Sequence, residues 1–238
     1  QPTKLTVDKT NKKITKAFVI AGTDPRGTAF GVFDLSQKMG VSPWYWWADV
    51  PAVQQKELVF SQKDFQSKAP SVKFRGIFLN DEDWGLRPWA SKTFEPEVGN
   101  IGPKTYAKIF ELLLRLKANT IWPAMHEGTT AFFNIPGNAK IAEAYQIVVG
   151  SSHAEPMLRN NVDEWKEKEM GHFNYVSNRD NVYKYWEDRV KESKNVDAIY
   201  TIGMRGVHDS KMEGVKTNKE GAELLKQIIK DQRKLFET

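Results

Sequence analysis

Four short clusters of acidic, histidine and arginine side chains are the parts of this 238-residue chain that could carry chemistry. Each cluster directly follows a β-rich run. In chain order they cover residues 80–84, 123–127, 151–155 and 204–209. The first crowds three carboxyl groups together, which can raise the pKa of one of them toward acid catalysis. Carboxyl groups act as general acids and bases, and arginine binds carboxylates through its planar fork.

The elements that must position these clusters form a regular alternation of strands and helices. We predict strands at 74–79, 119–122, 147–150 and 197–202, and helices at 105–117, 139–146, 181–191 and 221–237. Such strand–helix units in succession predict a parallel sheet. Either an open doubly wound sheet or part of a (β/α)8 barrel is compatible with them. Functional clusters after every strand favour the barrel, and the lack of a G-x-G-x-x-G or P-loop motif weakens the nucleotide-binding sheet.

The domain organisation follows from a change of pattern near residue 65. Residues 1–65 read as a small mixed α/β domain, with strands at 5–7 and 17–21 and a helix at 29–39. Residues 70–238 hold about four strand–helix units, whereas a (β/α)8 barrel needs eight units in roughly 250 residues. The predicted fold class is therefore α/β: an N-terminal mixed domain followed by the first half of an incomplete (β/α)8 barrel.

Composition excludes several other classes of function. The 35 basic residues are interspersed with 30 acidic ones and form no dense stripe, so we expect no nucleic-acid partner despite a net charge of +5. The chain has no cysteine, which excludes disulfides, thiolate catalysis and cysteine-bound zinc. No two histidines have a ligand spacing such as H-x-x-x-H, so we expect neither a metal nor another cofactor. No stretch is apolar and long enough to span a membrane.

Several motifs together resemble the sequences of glycoside hydrolase family 115. The resemblance covers essentially the whole chain and is carried by the segments 23–31, 40–51, 75–85, 119–126 and 203–209. It implies an inverting xylan α-1,2-glucuronidase, which removes glucuronic acid or its 4-O-methyl form from glucuronoxylan. Inversion places the two catalytic carboxyl groups about 6.5–9.5 Å apart, with water between them.

The resemblance also implies roles for individual residues. Arg205 is expected to bind the carboxylate of the uronic acid, and Asp209 to act as a catalytic acid or base or to bind substrate. Asn80, Asp81 and His153 are expected to bind sugar hydroxyl groups.

Each of these roles has a structural alternative. Arg205 and Asp209 could form an internal ion pair that shapes their loop. Asp81 or Asp83 could cap the loop backbone instead of binding sugar. His126, which follows the second strand, is as compatible with a structural role as with a contact to the sugar.

The family's other catalytic carboxylate comes from later barrel strands that have no counterpart in this sequence. We therefore expect the chain alone to be inactive, and the alternative is a carbohydrate-binding or interaction module derived from the same barrel. The expected partners are glucuronoxylan or glucuronic acid, the missing C-terminal half of the barrel and later domains, and a further copy of the chain through open sheet edges, as a homo-oligomer. The chain begins Gln1-Pro2 without a visible signal peptide, and we expect a secreted or periplasmic bacterial protein.

Overall fold

The computed structural model describes residues 18–59 and 63–237. It has three β-strands among these residues: β1 (Gly76–Phe78), β2 (Thr120–Trp122) and β3 (Val148–Val149). The α-helices of the described residues are α1 (Pro25–Lys38), α2 (Leu86–Trp89), α3 (Pro103–Arg115), α4 (Asn138–Ala144), α5 (Asn161–Glu164), α6 (Glu167–Met170), α7 (Arg179–Glu192) and α8 (Asn218–Lys234). Short 3₁₀ turns lie at Glu82–Trp84, Phe132–Asn134 and Pro156–Leu158, and a π-helical turn at Ala90–Phe94. The chain divides into two compact units, residues 1–73 with 112–118, and residues 74–111 with 119–238.

The first unit is organised around α1, the helix predicted at 29–39. Its N-terminus is capped by Asp24, whose Oδ1 accepts a hydrogen bond from the backbone N–H of Gly27 at 2.6 Å. The guanidinium of Arg115 lies 4.6 Å from the ring centre of Phe33. The strand predicted at 5–7 lies outside the described residues. Residues 18–21, the described part of the strand predicted at 17–21, form no strand.

The second unit contains a parallel sheet in the order β1-β2-β3. Gly76 pairs with Thr120, and a Cβ at residue 76 would lie only 1.7 Å from the Thr120 carbonyl oxygen, so only glycine permits this pairing. α3 connects β1 to β2, and α4 connects β2 to β3, as the predicted alternation requires. The three strands are present near their predicted positions but are shorter than predicted.

The prediction of an extended fourth strand at 197–202 is wrong. It is reduced to a single parallel bridge between Val149 and Ala198. Beyond that bridge, Thr201 donates from its Oγ1 to the Ser151 carbonyl at 2.7 Å, and its own carbonyl accepts from the N–H of Met157 at 2.8 Å. The groups that would extend the strand are therefore used by the loop that follows β3.

The helices of the second unit pack around an aromatic core. α8 begins with a capping box, in which Thr217 and Glu220 satisfy each other's backbone N–H groups. α7 and α8 cover the predicted ranges 181–191 and 221–237 approximately, and both start earlier than predicted. The buried core of this region consists of Met157, Trp165, Phe173, Tyr175, Val182, Tyr185, Trp186, Met204, Ile228 and Leu235.

A buried ionic cluster lies beside this core. Glu164 is reached by Arg159, whose Nη1 is 2.6 Å from Glu164 Oε1, and by the Nη2 of Arg189. All three side chains are less than one-tenth exposed. Burial lowers the pKa of Arg189, and the charge of Glu164 opposes that effect. Glu164 therefore shares its charge between two arginines, and Arg189 has a second carboxylate partner in Glu192, whose Oε2 lies 3.2 Å from Arg189 Nε.

Candidate functional site

The carboxyl ends of β1, β2 and β3 lie at one edge of the sheet, because the three strands are parallel neighbours. The clusters predicted to carry chemistry begin just beyond these ends. Asn80 and Asp81 follow β1, His126 follows β2, and His153 follows β3. The fourth cluster follows residue 198, which pairs with β3. The sheet therefore delivers all four clusters to the same rim.

Two groups of side chains form on this rim, and the first contains Asn80 and Asp81. Asn80 Nδ2 donates to Asp81 Oδ2 at 3.4 Å, and Asn80 Oδ1 lies 3.1 Å from Nε2 of His126. The other ring nitrogen of His126, Nδ1, lies 2.8 Å from Asp83 Oδ1. This bond raises the pKa of His126 and lowers the pKa of Asp83. The imidazole of His126 therefore lies between a carboxylate and an amide, with one ring nitrogen facing each.

The loop after β1 is held in place by a buried carboxylate, Glu82. Its Oε1 accepts hydrogen bonds from the backbone N–H of His126 at 2.7 Å and from Oγ1 of Thr129 at 2.8 Å. Its other oxygen, Oε2, is buried without a hydrogen-bond partner and lies 3.8 Å from His126 Nδ1. Asp81 adopts a left-handed backbone conformation with φ of 60°. Glu82 thus ties the loop after β1 to the loop after β2, and Asp81 provides the left-handed residue that precedes the 3₁₀ turn at Glu82–Trp84.

The second group joins His153 to Arg205 and Asp209. Nε2 of His153 lies 3.2 Å from Oδ1 of Asp209, and Nη1 of Arg205 also contacts that oxygen. The three side chains are between 45% and 65% exposed, so a ligand can reach them. The internal Arg205–Asp209 ion pair, the structural alternative, is present. An exposed pair of this kind contributes little stability and exchanges partners easily.

The structure therefore brings the five predicted site residues into two groups on one rim. Asn80 and Asp81 lie in the first, and His153, Arg205 and Asp209 in the second. Glu82 could not be distinguished from its acidic neighbours by sequence, because only its burial sets it apart. Its position within the short run 80–84 has no periodic pattern that would mark it as buried.

Glu155 is a second buried carboxyl group that the sequence did not indicate. Its Oε2 accepts from the Oγ of Ser152 at 3.3 Å, and its backbone carbonyl accepts from Ser151 Oγ at 2.6 Å. Burial raises the pKa of Glu155 to about 8, and the charges of Glu164 and Glu82 act in the same direction. Glu155 is therefore protonated at neutral pH and stabilises the loop after β3 as an uncharged group.

One set of side chains on the rim has ligand types that suit a metal ion. Atoms of Glu82, Asp83 and His126 lie within 4.8 Å of one another. The Nδ1 of His126 already forms its hydrogen bond with Asp83. A metal would have to replace the proton that this bond contains.

Comparison with known proteins identifies the family. The sequence model of Glycosyl hydrolase family 115 matches residues 67–238. The chain belongs to glycoside hydrolase family 115. A solved family 115 structure, described as a 4-O-methyl-α-glucuronidase with specificity for decorated arabinogalactans, is 52% identical in sequence and superposes with a TM-score of 0.85. The match covers 91% of this chain and 29% of that protein, so the chain spans under a third of its relative.

Two further observations concern this family 115 chain. Among curated proteins, no sequence matches it with statistical significance. Within residues 18–59 and 63–237, no helix combines the length and the apolar character needed to cross a lipid bilayer.

Proposed function

We propose that this chain supplies the uronate-binding part of an α-glucuronidase active site. The proposed substrate is (4-O-methyl-)glucuronic acid linked as a side chain to glucuronoxylan, cleaved with inversion. Family membership supports glycoside hydrolysis, and the 52% identical relative acts as a 4-O-methyl-α-glucuronidase. The single observation that carries the proposal is the group in which His153 and Arg205 share Asp209 on the rim.

This group suits a sugar that carries its own carboxylate. The guanidinium of Arg205 can bind the uronate through two parallel hydrogen bonds, which a neutral hexose does not offer. When the uronate takes the place of Asp209 beside Arg205, His153 remains as a donor to Asp209. Asn80 and Asp81, across the rim, supply an amide and a carboxylate for ring hydroxyl groups. The combination would favour a uronic acid over the corresponding neutral sugar.

The catalytic step that we propose uses Asp209 as one of two carboxyl groups. Inversion needs a general acid at the leaving oxygen and a general base on the attacking water, about 6.5–9.5 Å apart. The second group is proposed to come from a part of the family's barrel that residues 1–238 do not include. The chain by itself would then bind uronate without cleaving it.

The domain organisation that we propose is a mixed α/β domain at 1–65 followed by barrel strands within 70–238. The order β1-β2-β3 and the bridge at Ala198 support a barrel, because each strand lies next to its successor. Doubly wound sheets instead reverse their strand order at a switch point. Because its substrate is a polysaccharide, we also propose that the protein acts outside the bacterial cytoplasm.

Isothermal titration calorimetry tests the proposed substrate class. The chain is titrated separately with D-glucuronate, its 4-O-methyl form, and D-glucose as the neutral control. We expect saturable binding of the two uronates and none of glucose. Equal binding of glucose and glucuronate would contradict the role of Arg205. Pull-down on insoluble glucuronoxylan and on decorated arabinogalactan then distinguishes the two polymers.

A further inference from the structure

Four side chains on the rim form one continuous line of hydrogen bonds. It runs from Asp83 Oδ1 to His126 Nδ1 at 2.8 Å, from His126 Nε2 to Asn80 Oδ1 at 3.1 Å, and from Asn80 Nδ2 to Asp81 Oδ2 at 3.4 Å. The line begins and ends in the loop after β1, and it passes through His126 in the loop after β2. It connects a histidine without an assigned role to two residues proposed to bind substrate.

The imidazole of His126 is held in place by contacts other than its contact with Asn80. Its own backbone N–H donates to the buried Glu82, which Thr129 also holds. The side chain is 29% exposed, and Asp83 fixes one edge of the ring. The other edge, Nε2, points at Asn80 and has little freedom to turn away.

The contacts of His126 on both edges of its ring fix which way the Asn80 amide faces. Nδ1 lies 2.8 Å from a carboxylate oxygen of Asp83 and Nε2 lies 3.1 Å from the amide oxygen of Asn80, and both of these oxygens are acceptors. The hydrogen bond to Asp83 raises the pKa of His126, and the nearby charges of Glu82 and Asp81 raise it further. The same bond lowers the pKa of Asp83, assisted by the charge of Arg87. In the charged ring both nitrogens are donors. Asn80 must then turn its oxygen to Nε2, which leaves its N–H group for the Asp81 carboxylate.

The neutral ring would reverse this arrangement. With the remaining proton held on Nδ1 by Asp83, Nε2 becomes an acceptor. Asn80 would then turn its N–H group to His126 and its oxygen to Asp81. Two oxygens would face each other there without a proton between them, which is unfavourable.

We propose that His126 is a positioning residue that donates from both ring nitrogens and thereby holds the Asn80 N–H group against Asp81. This inference rests on the proposed function, because Asn80 and Asp81 are there the residues that bind the sugar. In this arrangement Asp81 keeps one oxygen engaged with Asn80 and presents the other to a hydroxyl group. Loss of the His126 proton weakens the site without removing any residue from contact with the sugar.

Nitrogen-15 NMR of the histidine rings tests the positioning claim without a ligand. At neutral pH we expect both nitrogens of His126 to give the shifts and couplings of an imidazolium. We also expect His126 to titrate at a higher pH than histidine in a short peptide. A ring that is neutral at neutral pH, with its proton on Nε2, would overturn the proposal, because Asp83 would then have no donor.

Two substitutions of His126 separate its two hydrogen bonds. The amide nitrogen of asparagine occupies the place of Nδ1, and that of glutamine reaches the place of Nε2. H126Q should therefore retain glucuronate affinity within about threefold and lose its pH dependence, whereas H126N should bind about tenfold more weakly. Equal affinity of H126N, H126Q and the unsubstituted chain would overturn the proposal.

Further measurements keep the result interpretable. Thermal unfolding shows whether each variant folds. If H126N does not fold, the unsubstituted chain still tests the proposal. Its glucuronate affinity should fall with rising pH, at the same midpoint as the titration of His126 seen by NMR. A midpoint that differs overturns the claim. Absence of any glucuronate binding contradicts the proposed function, and the ring NMR then decides the positioning claim alone. Stabilisation by Zn²⁺ that is lost in H126Q would assign Glu82, Asp83 and His126 to a cation and overturn it.

Discussion

Nε2 of His153 lies 3.2 Å from Oδ1 of Asp209, and Nη1 of Arg205 contacts the same carboxylate oxygen. His153 belongs to the loop after β3, whereas Arg205 and Asp209 belong to the segment after residue 198, which pairs with β3. Two positively charged or protonatable donors therefore converge on one carboxylate at the sheet edge. This geometry is the basis of the proposed uronate site and of the first prediction.

Substitution of Arg205 should reduce uronate binding more than it reduces stability. R205A removes the guanidinium, and we expect glucuronate affinity to fall at least tenfold, because a charged hydrogen-bonding partner is lost. R205K keeps the positive charge but not the planar guanidinium, so its glucuronate affinity should lie between that of R205A and that of the unsubstituted chain. The unfolding free energy should change by less than about 1 kcal/mol, as for other exposed ion pairs.

Calorimetry and urea denaturation measure these two effects separately. R233A is a matched control, because Arg233 is exposed in the last turn of α8 and belongs to none of the four clusters. It should leave glucuronate affinity unchanged. If R205A destabilised the fold by several kcal/mol and left binding intact, the Arg205–Asp209 pair would be structural only.

The left-handed backbone at Asp81 predicts different effects for two substitutions. Asparagine tolerates this conformation and alanine does not, so D81A should lose about 1 kcal/mol of unfolding free energy and D81N much less. Both variants should bind glucuronate more weakly, because a carboxylate accepts hydroxyl hydrogen bonds more strongly than an amide does. Urea denaturation of the two variants side by side provides the comparison. Equal stability of D81N and D81A would contradict the backbone argument.

Glu155 predicts that stability falls as the pH rises. Burial raises its pKa to about 8 in the folded chain, from an ordinary value of 4.5. Between these two values the unfolded chain has lost a proton that the folded chain retains, so ionisation favours unfolding. E155Q cannot ionise, and its stability relative to the unsubstituted chain should increase from pH 5 to pH 8 by about 1–3 kcal/mol.

Urea denaturation at several pH values measures this trend. E223Q serves as the control, because Glu223 is exposed on α8 and pairs with Lys226. Its difference from the unsubstituted chain should stay small across the same range. A pH-independent difference for E155Q would show that Glu155 is ionised in the folded chain.

The buried cluster of Glu164 with Arg159 and Arg189 predicts a large loss of stability in E164Q. Removing the carboxylate charge leaves the buried Arg159 without an ion-pair partner, and leaves the buried Arg189 with only the half-exposed Glu192. Breaking a buried pair in this way costs about 3–5 kcal/mol. The melting temperature by circular dichroism should fall accordingly, whereas E223Q should melt close to the unsubstituted chain. A small effect for E164Q would mean that water reaches Arg189.

Much of the second unit could be predicted because its strands and helices have clear periodic patterns. The apolar positions of α3 and the short apolar runs around Ile77 and Ile121 indicate a helix and two strands directly. The position of Asn80, His153 and Asp209 at one rim then follows from parallel pairing alone. Their grouping within the rim does not, because it depends on how each loop turns after its strand.

The fourth strand and the buried carboxyl groups could not be predicted for physical reasons. Residues 197–202 have the composition of a strand, but the loop after β3 competes for the polar groups of Thr201. Glu82, Glu155 and Glu164 are acidic residues, which are rarely buried without partners. Glu82 is held by Thr129 and Glu164 by Arg189, both of which lie far away in sequence, so no local pattern indicates these two contacts.

Chemical-shift mapping with D-glucuronate tests the central claim most directly. In the ¹⁵N-labelled chain, resonances of Asn80, His126, His153 and Arg205 should shift together with a single saturation curve, and D-glucose should leave them unchanged. That result would place both groups of side chains around one bound uronate. Shifts confined to one group, or located instead among the residues of α7 and α8, would contradict a common site on the rim.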